Sequence, residues 1–312
     1  MFRSCIPFRR HLAPAVRQLA YQLGISTLLS GRAPHPRILM YHGVESDAAP
    51  AFAKQMEFVS RHCSIVPLDV LLSGYAAGTS RNELALTFDD GLRNNRTVVY
   101  PILERLRLPA TFFVCPGNIS SGQWIWTYDT LERLQQLPLV ERLSIAAAIS
   151  APNAGAEEFL GFLKLLPCST RLVVQTQIRT RTIHYRSSPA QRERFDVMNW
   201  DEVASLDPAL ITIGSHTMSH PNLTTLTREE LAFEVQESRR VLEERLGREI
   251  NYFSYPDGFH DKTVVEFVRG VYRGAVTVRW GTLGYRDDLH QLPRIPADPA
   301  DVPLFAWRLH SA

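Results

Sequence analysis

Lysine is scarce in this sequence: Lys54, Lys164 and Lys262 are the only ones among many arginines. The bias is compositional, and no function attaches to it. Cysteine is sparse too. Cys5, Cys63, Cys115 and Cys168 are scattered without a C-x-x-C pair, which leaves a thiolate metal site unsupported and a disulfide framework unexpected. A reduced compartment fits that pattern. Net charge is nearly missing. A formal +2 over 312 residues gives no general attraction for nucleic acid or a strongly acidic partner, and no nucleic-acid partner is expected. Long apolar runs are absent as well. The nearest approach is the N-terminus, where basic Met1–Arg10 leads into Leu12, Val16, Leu19 and Leu23 at helical spacing. Arg17, Gln18 and Gln22 interrupt that stripe, which excludes a membrane span and makes a poor signal peptide. Residues 1–34 are therefore expected to form a basic amphipathic segment that packs on the domain. The sharper alternative is peripheral membrane contact through residues 1–30. A cytoplasmic location is expected, at the inner membrane face in that alternative.

With 21% charged residues and 45% hydrophobic ones, the chain is globular and long enough for one large α/β barrel or two ordinary domains. Short apolar runs read as strands: Ile38–Tyr41, Ser64–Pro67, Leu84–Phe88, Ala110–Val114, Ile211–Gly214, Ile250–Ser254, Gly274–Val278 and Gln291–Ile295. Helical periodicity separates them at Ala51–Cys63, Asn94–Leu106 and Thr263–Arg269, and Asp69 is expected to cap a brief helix through Leu72. Thr227-Arg-Glu-Glu230 is a capping-box pattern, followed by Leu231, Val235, Ser238, Leu242 and Leu246 on one face and Gly247 at the stop. Strand, helix and strand in that order imply right-handed parallel crossovers. Seven or eight such units indicate a (β/α) barrel, complete or distorted. Residues 117–200 break the rhythm and read as an inserted, mainly helical segment within a barrel spanning 35–310. There Val173–Ile183 fits either a helix or a strand.

One stretch carries chemistry that a strand does not need for folding. Leu84-Ala-Leu-Thr-Phe-Asp-Asp-Gly91 ends a buried run on two carboxylates, and unpaired buried charge costs several kcal/mol. Asp89 and Asp90 therefore belong where a strand emerges into a site. Gly214-Ser-His-Thr-Met-Ser-His220 supplies two histidines four residues apart, which face one way if the segment makes a helical turn. One Asp with two His is a catalytic zinc ligand set, and a second carboxylate beside it can take a proton from water. That chemistry is metal-assisted hydrolysis of an amide or ester. His42 and Tyr255-Pro-Asp-Gly258 also fall at strand ends.

Thr87-Phe-Asp-Asp-Gly91 followed by His216-Thr-Met-Ser-His220 resembles the first two motifs of the polysaccharide deacetylase family (NodB homology domains, carbohydrate esterase family 4). The resemblance covers about Arg37 to Ile295 apart from the insert. It implies a distorted (β/α)7 barrel, a carbohydrate substrate, and zinc or another divalent transition metal held by Asp90, His216 and His220. It further implies a metal-bound water as nucleophile, with Asp89 as general base. The third motif departs from the family pattern: Ser254-Tyr-Pro-Asp-Gly258 puts Ser254 where an arginine is usual and Asp257 where an aromatic is usual. The Tyr255, Pro256, Asp257 and Gly258 turn still offers the backbone N–H at 257 to an oxyanion. Arg294 either replaces the missing arginine or pairs with a surface acid. The family's Leu-x-His acid is absent near Gln291–Ile295. Tyr41-His42 resembles the first-strand arrangement of exopolysaccharide-type deacetylases, so His42 is the candidate acid, a structural strand-end histidine being the alternative. Trp124, Trp126 and Tyr128 form either a sugar-stacking wall or the insert's own core. The leading expectation is removal of N-acetyl groups from a GlcNAc-like sugar in a glycan or lipid-linked saccharide. Deformylation or hydrolysis of another amide is a second reading, and an inactive carbohydrate-binding relative a third.

Overall fold

Ile38, Leu39, Met40 and Tyr41 offer no polar face, and such a run suits a parallel strand covered on both sides. They form most of β1 (Arg37–Tyr41), which is buried throughout. The computed structural model describes residue 19 and residues 35–80, 82–151, 155–284 and 286–311. Leu19 apart, the N-terminal segment 1–34 lies outside the described residues. Among those residues, no helix is long and apolar enough to cross a membrane.

After β1 come β2 (Ser64–Ile65), β3 (Glu83–Phe88), β4 (Ala110–Val114), β5 (Ile211–Ser215), β6 (Tyr252–Ser254), β7 (Gly274–Trp280) and β8 (Leu292–Pro296). All pairings among them are parallel, in the order β1-β8-β7-β6-β5-β4-β3, and β3 returns to β1 from Arg37↔Leu84 to Tyr41↔Phe88. Seven strands thus close a barrel, and β2 only pairs with the start of β3. This is the expected distorted (β/α)7 architecture. The ring's core holds Leu39, Phe88, Phe112, Phe253 and Ile295 among others.

Around the barrel lie α1 (Ala49–His62), α2 (Leu68–Ala76) and α3 (Tyr100–Leu106), the last entered through a π turn at Asn95–Val99. Pro67, not Asp69, stands at the N-cap of α2, and Asp69 sits in its first turn. Between β4 and β5 run α4 (Pro116–Ser121), α5 (Trp126–Gln136), α6 (Leu139–Ala148), α7 (Ala156–Leu163), α8 (Cys168–Arg181), α9 (Pro189–Phe195) and α10 (Trp200–Ala204). The ambiguous stretch at Val173 is thus helical, in α8, because Val174, Gln175 and Ile178 turn inward together. Leu134, Ile145, Phe159, Leu163 and Ile178 give these helices an apolar cluster apart from the barrel core.

The capping box forms as read: Thr227 accepts from the Glu230 N–H at the start of α11 (Arg228–Ala232), and Glu230 returns the bond. A π turn at Phe233–Glu237 joins it to α12 (Ser238–Leu246), which ends on Gly247 at φ 64°. Two helices follow, α13 (Lys262–Arg269), capped by Asp261, and α14 (Val302–Ser311). Helix α14 is not among the elements expected from the sequence. It buries Phe305, Ala306 and Leu309, and the Leu309 carbonyl accepts from buried Arg37 at 3.1 Å, at the pole where β1 begins.

Candidate metal centre and active site

Asp89 and Asp90 follow β3 and His216 follows β5, so parallel strands bring all three to one end of the barrel. Catalytic groups of such barrels collect at that C-terminal end. Adjacent strand residues normally face opposite ways, but the backbone changes hand here. Asp90 has φ 73° and Gly91 φ 64°, and this left-handed turn lets both carboxylates line one cavity. Aspartate tolerates that region better than most side chains, and glycine enters it freely.

The histidine segment does not make the expected helical turn. It is an irregular loop with Thr217 at φ 68° and His220 at φ 61°. Glu234, on the π turn, fixes the loop by accepting from Met218 N (2.8 Å), Ser219 N (2.9 Å) and Ser219 Oγ (2.5 Å). The two imidazoles end 4.8 Å apart, ring centre to ring centre.

Asp90 Oδ1 stands 3.4 Å from His216 Nε2 and 3.3 Å from His220 Nε2. The His216 Nδ1–H donates to the Ser254 carbonyl at 2.7 Å, which leaves Nε2 free as an inward donor atom. Asp90 Oδ1 and His220 Nδ1 are buried without a hydrogen-bond partner. Orphaned buried polar atoms are rare. Here one ligand atom from each of Asp90, His216 and His220 lies within 4.8 Å of the others. One carboxylate and two imidazoles so close together are a donor set that fits a divalent transition metal. The Tyr128 hydroxyl donates to the other oxygen, Asp90 Oδ2. Burial pushes that phenol well above its usual range, so it stays a neutral donor.

Asp89 is 2% exposed and Arg294 0%. The guanidinium forks onto the carboxylate, Nη1 to Oδ1 at 2.8 Å and Nη2 to Oδ2 at 2.7 Å. Ser254 Oγ donates to Asp89 Oδ2 at 3.3 Å. Burial alone would raise the Asp89 pKa, but the Arg294 charge and hydrogen bonds outweigh it and hold the group below its usual value. Arg294 is therefore no partner of a surface acid. His42, exposed at the end of β1, lines the same cavity, and no described group hydrogen-bonds with its ring.

The cavity measures about 310 Å³ and is walled by barrel residues together with Thr127, Tyr128 and Leu131 of α5, Leu160 of α7, and Lys164. Asp257 also lines it, at φ 53°. The turn's hydrogen bonds run from Gly258 N to Tyr255 O and from Phe259 N to Pro256 O, so the Asp257 N–H is not used by the turn. Other parts of that motif sit elsewhere. The Tyr255 side chain is fully buried and donates to the His290 carbonyl at 2.9 Å, and Pro256 is buried beside it. Gly258 is needed for space: a Cβ there would lie 2.2 Å from Val278 Cγ2.

The three aromatics divide between the two alternatives, sugar-stacking wall and core of the inserted segment. Trp126 is 8% exposed, packs in the helical segment's cluster, carries Arg171 over its ring at 4.5 Å and donates to the His220 carbonyl at 2.7 Å. It has no free face for a sugar. Trp124 donates to Asp196 at 2.7 Å and borders a different depression with Asp129 and Arg179. Of the three aromatics, only Tyr128 reaches the cavity. The sequence reading also gave no role to Tyr128 on Asp90, to Ser254 on Asp89, or to Lys164, which pairs with Asp257. Scarcity of lysine was the one signal Lys164 offered.

The family profile described as polysaccharide deacetylase matches residues 76–144 and 168–271, more than half of the chain. No curated protein matches. Among solved structures, IcaB from Ammonifex degensii is similar with TM-score 0.58 and 18% identity, over 89% of this chain and 98% of that one. The Streptococcus pyogenes deacetylase PplD, in complex with acetate, gives 0.58 and 16% over 86% and 94%. A Bacillus cereus polysaccharide deacetylase gives 0.58 and 16% over 89% and 69%. At such identities the likeness is one of fold.

Proposed function

Because this chain belongs to the polysaccharide deacetylase family, we propose that it is a metal-dependent hydrolase that removes N-acetyl groups from a GlcNAc-like sugar in a glycan or lipid-linked saccharide. The observation that carries this reading is the division of labour between neighbours. Asp90 faces His216 and His220, while Asp89 is turned to Arg294 within the same cavity. Asp90, His216 and His220 would hold the metal. Zinc or another divalent transition metal there would supply Lewis acidity to the acetyl carbonyl and lower the pKa of water.

The chain's own residues do the rest. Asp89, kept ionised by Arg294, accepts the proton of the attacking water as its oxygen bonds to the acetyl carbon. Asp257 N–H donates to the oxygen that gains negative charge. The carbon–nitrogen bond then breaks, His42 protonates the leaving amine, and acetate and an amino sugar depart. His42 suits that role because it reaches the cavity and its ring is hydrogen-bonded to no described group.

Acetate release from N-acetylated oligosaccharides tests the reading. Release that a chelator abolishes and zinc restores is expected. Formate release from N-formyl sugars without acetate release would replace it by the deformylase reading. Sugar binding without turnover would make the protein an inactive relative. We also keep residues 1–34 as a separate amphipathic segment before a barrel of 35–310, with 117–200 as its insert. Equal liposome binding by the full chain and by a chain starting near Pro34 would remove a membrane role for that segment.

A further inference from the structure

Two departures from the family pattern meet in the cavity. Asp257 stands where the family commonly has an aromatic side chain. Lys164 lies in residues 145–167, a stretch that the family profile leaves unmatched. Lys164 Nζ and Asp257 Oδ1 form an ion pair, with the two side chains 22% and 24% exposed. Lys164 caps the C-terminus of α7, and its carbonyl accepts from Asn222 Nδ2 at 2.9 Å. Asn222 is itself 2% exposed and follows His220 by two residues, so the end of α7 is tied to the histidine loop.

Asp257 has contradictory properties for an oxyanion site. Its backbone N–H is not taken up by the turn's hydrogen bonds, and its left-handed conformation suits Asp or Asn. Its side chain, however, is a carboxylate lining the same cavity, in which deacetylation would develop negative charge. Leu131, Leu160 and Val278 share the cavity, and apolar walls screen such a repulsion poorly. A cation fixed on that carboxylate removes the conflict. We propose that Lys164 is a positioning residue for deacetylation, which neutralises Asp257 so that its backbone N–H can stabilise the oxyanion. The inserted helical segment thereby contributes directly to the rate. This inference rests on the hydrolase reading of the same site.

The test uses the full-length, zinc-loaded chain and Lys164→Met, Asp257→Asn, their combination, and Lys164→Arg. Two quantities are read: kcat on an N-acetylated chito-oligosaccharide, and the affinity of methylphosphonate, a tetrahedral anion. Lys164→Met is expected to lower kcat about tenfold or more, with a smaller change in KM, since one oxyanion donor alone is worth about 10²–10³. Methylphosphonate affinity should fall in parallel. Made in the Asp257→Asn background, the same substitution should change either quantity by less than about twofold, because no carboxylate is left to neutralise. Lys164→Arg should stay within about threefold of the natural protein, since it keeps the charge. Equal losses in both backgrounds would overturn the proposal and make Lys164 a direct contact or a packing group. So would an unchanged kcat in Lys164→Met. If the natural protein releases no acetate, the deacetylase reading falls, and the methylphosphonate affinities still decide whether Lys164 acts through Asp257.

Discussion

Replacing Arg294 by methionine removes the charge behind Asp89 while keeping much of the bulk. The guanidinium donates Nε to Thr277 O (2.8 Å), Nη1 to Thr87 Oγ1 (3.1 Å) and Asp89 Oδ1 (2.8 Å), and Nη2 to Asp89 Oδ2 (2.7 Å) and Ser254 Oγ (3.1 Å). In Arg294→Met the Asp89 carboxylate keeps, among the described residues, the Ser254 hydroxyl at 3.3 Å as its one hydrogen-bond partner. A buried charge stripped of its partner costs about 3–5 kcal/mol, and that loss is expected at pH 7.5 by urea unfolding of the chelator-treated protein. The sign with pH follows from Asp89. In the natural chain its folded pKa is depressed, so the pair stabilises above the unfolded carboxylate pKa of about 3.9. That stabilisation is lost as pH falls through the folded value. In the variant, burial raises the folded pKa, so the penalty is full near neutrality and shrinks towards pH 4.5. Combining Asp89→Asn with Arg294→Met should cost less than the sum of the single changes by about 2 kcal/mol. Strict additivity, or a single loss below about 1 kcal/mol at pH 7.5, would refute the reasoning.

Three further outcomes are expected. Zinc returned to the chelated protein at a hundred times its Kd should stabilise it by about 2.7 kcal/mol; an equal rise in His220→Ala, which lacks one of the three donors, would exclude that residue as a ligand. His42→Ala should fold, bind zinc and lose about 10²-fold or more in kcat, since general acids typically contribute about 10²–10⁴-fold; a loss below about tenfold would remove its role as acid. Away from the site, burial would raise the Asp288 pKa, but hydrogen bonds from Arg269 (2.6 Å), His290 N (3.0 Å) and Gln291 (3.0 Å) hold it far below the usual carboxylate range. Asp288→Asn should therefore destabilise at pH 7, by no more than about 1 kcal/mol because Arg269 is half exposed, and the cost should fade as pH falls below about 4; a constant cost from pH 7 to pH 2 would contradict the assignment.

The barrel is legible because its strands are buried on both faces, and unbroken runs such as Leu84–Phe88 and Ala110–Val114 leave little else for them to be. The Val173–Ile183 stretch is not, because Val173 and Ile183 are exposed while Gln175 is buried, so hydropathy misstates which face turns inward. Asp89, Asp90, His216 and His220 stand out because polar groups at the ends of apolar strands have no packing use. Tyr128 and Lys164 stay hidden for the opposite reason. Each is an ordinary helical-segment residue until the chain between β4 and β5 folds over the barrel mouth. Trp126 carries the same aromatic signal as a sugar platform, and its burial in the helical cluster, beneath Arg171, is what distinguishes core from surface.

Arg294 shows why a motif can lose a residue and keep its electrostatics. Asp89 needs a cation because it is buried, and that need is set at the carboxylate, not at any position in the chain. The usual arginine would come from the position of Ser254, at the end of β6. Here β6 and β8 both neighbour β7, so a side chain from β8 can reach the same carboxylate across one strand. The bond from Arg294 Nε to the Thr277 carbonyl of β7 marks that path. Ser254, relieved of the charge, keeps a hydroxyl between the two partners, 3.1 Å from Nη2 and 3.3 Å from Asp89. A small residue is required at 254 for this, since a second long side chain would compete for the volume that the β8 guanidinium fills. The two positions are therefore coupled through one carboxylate, and a departure at one is intelligible only from the residue at the other.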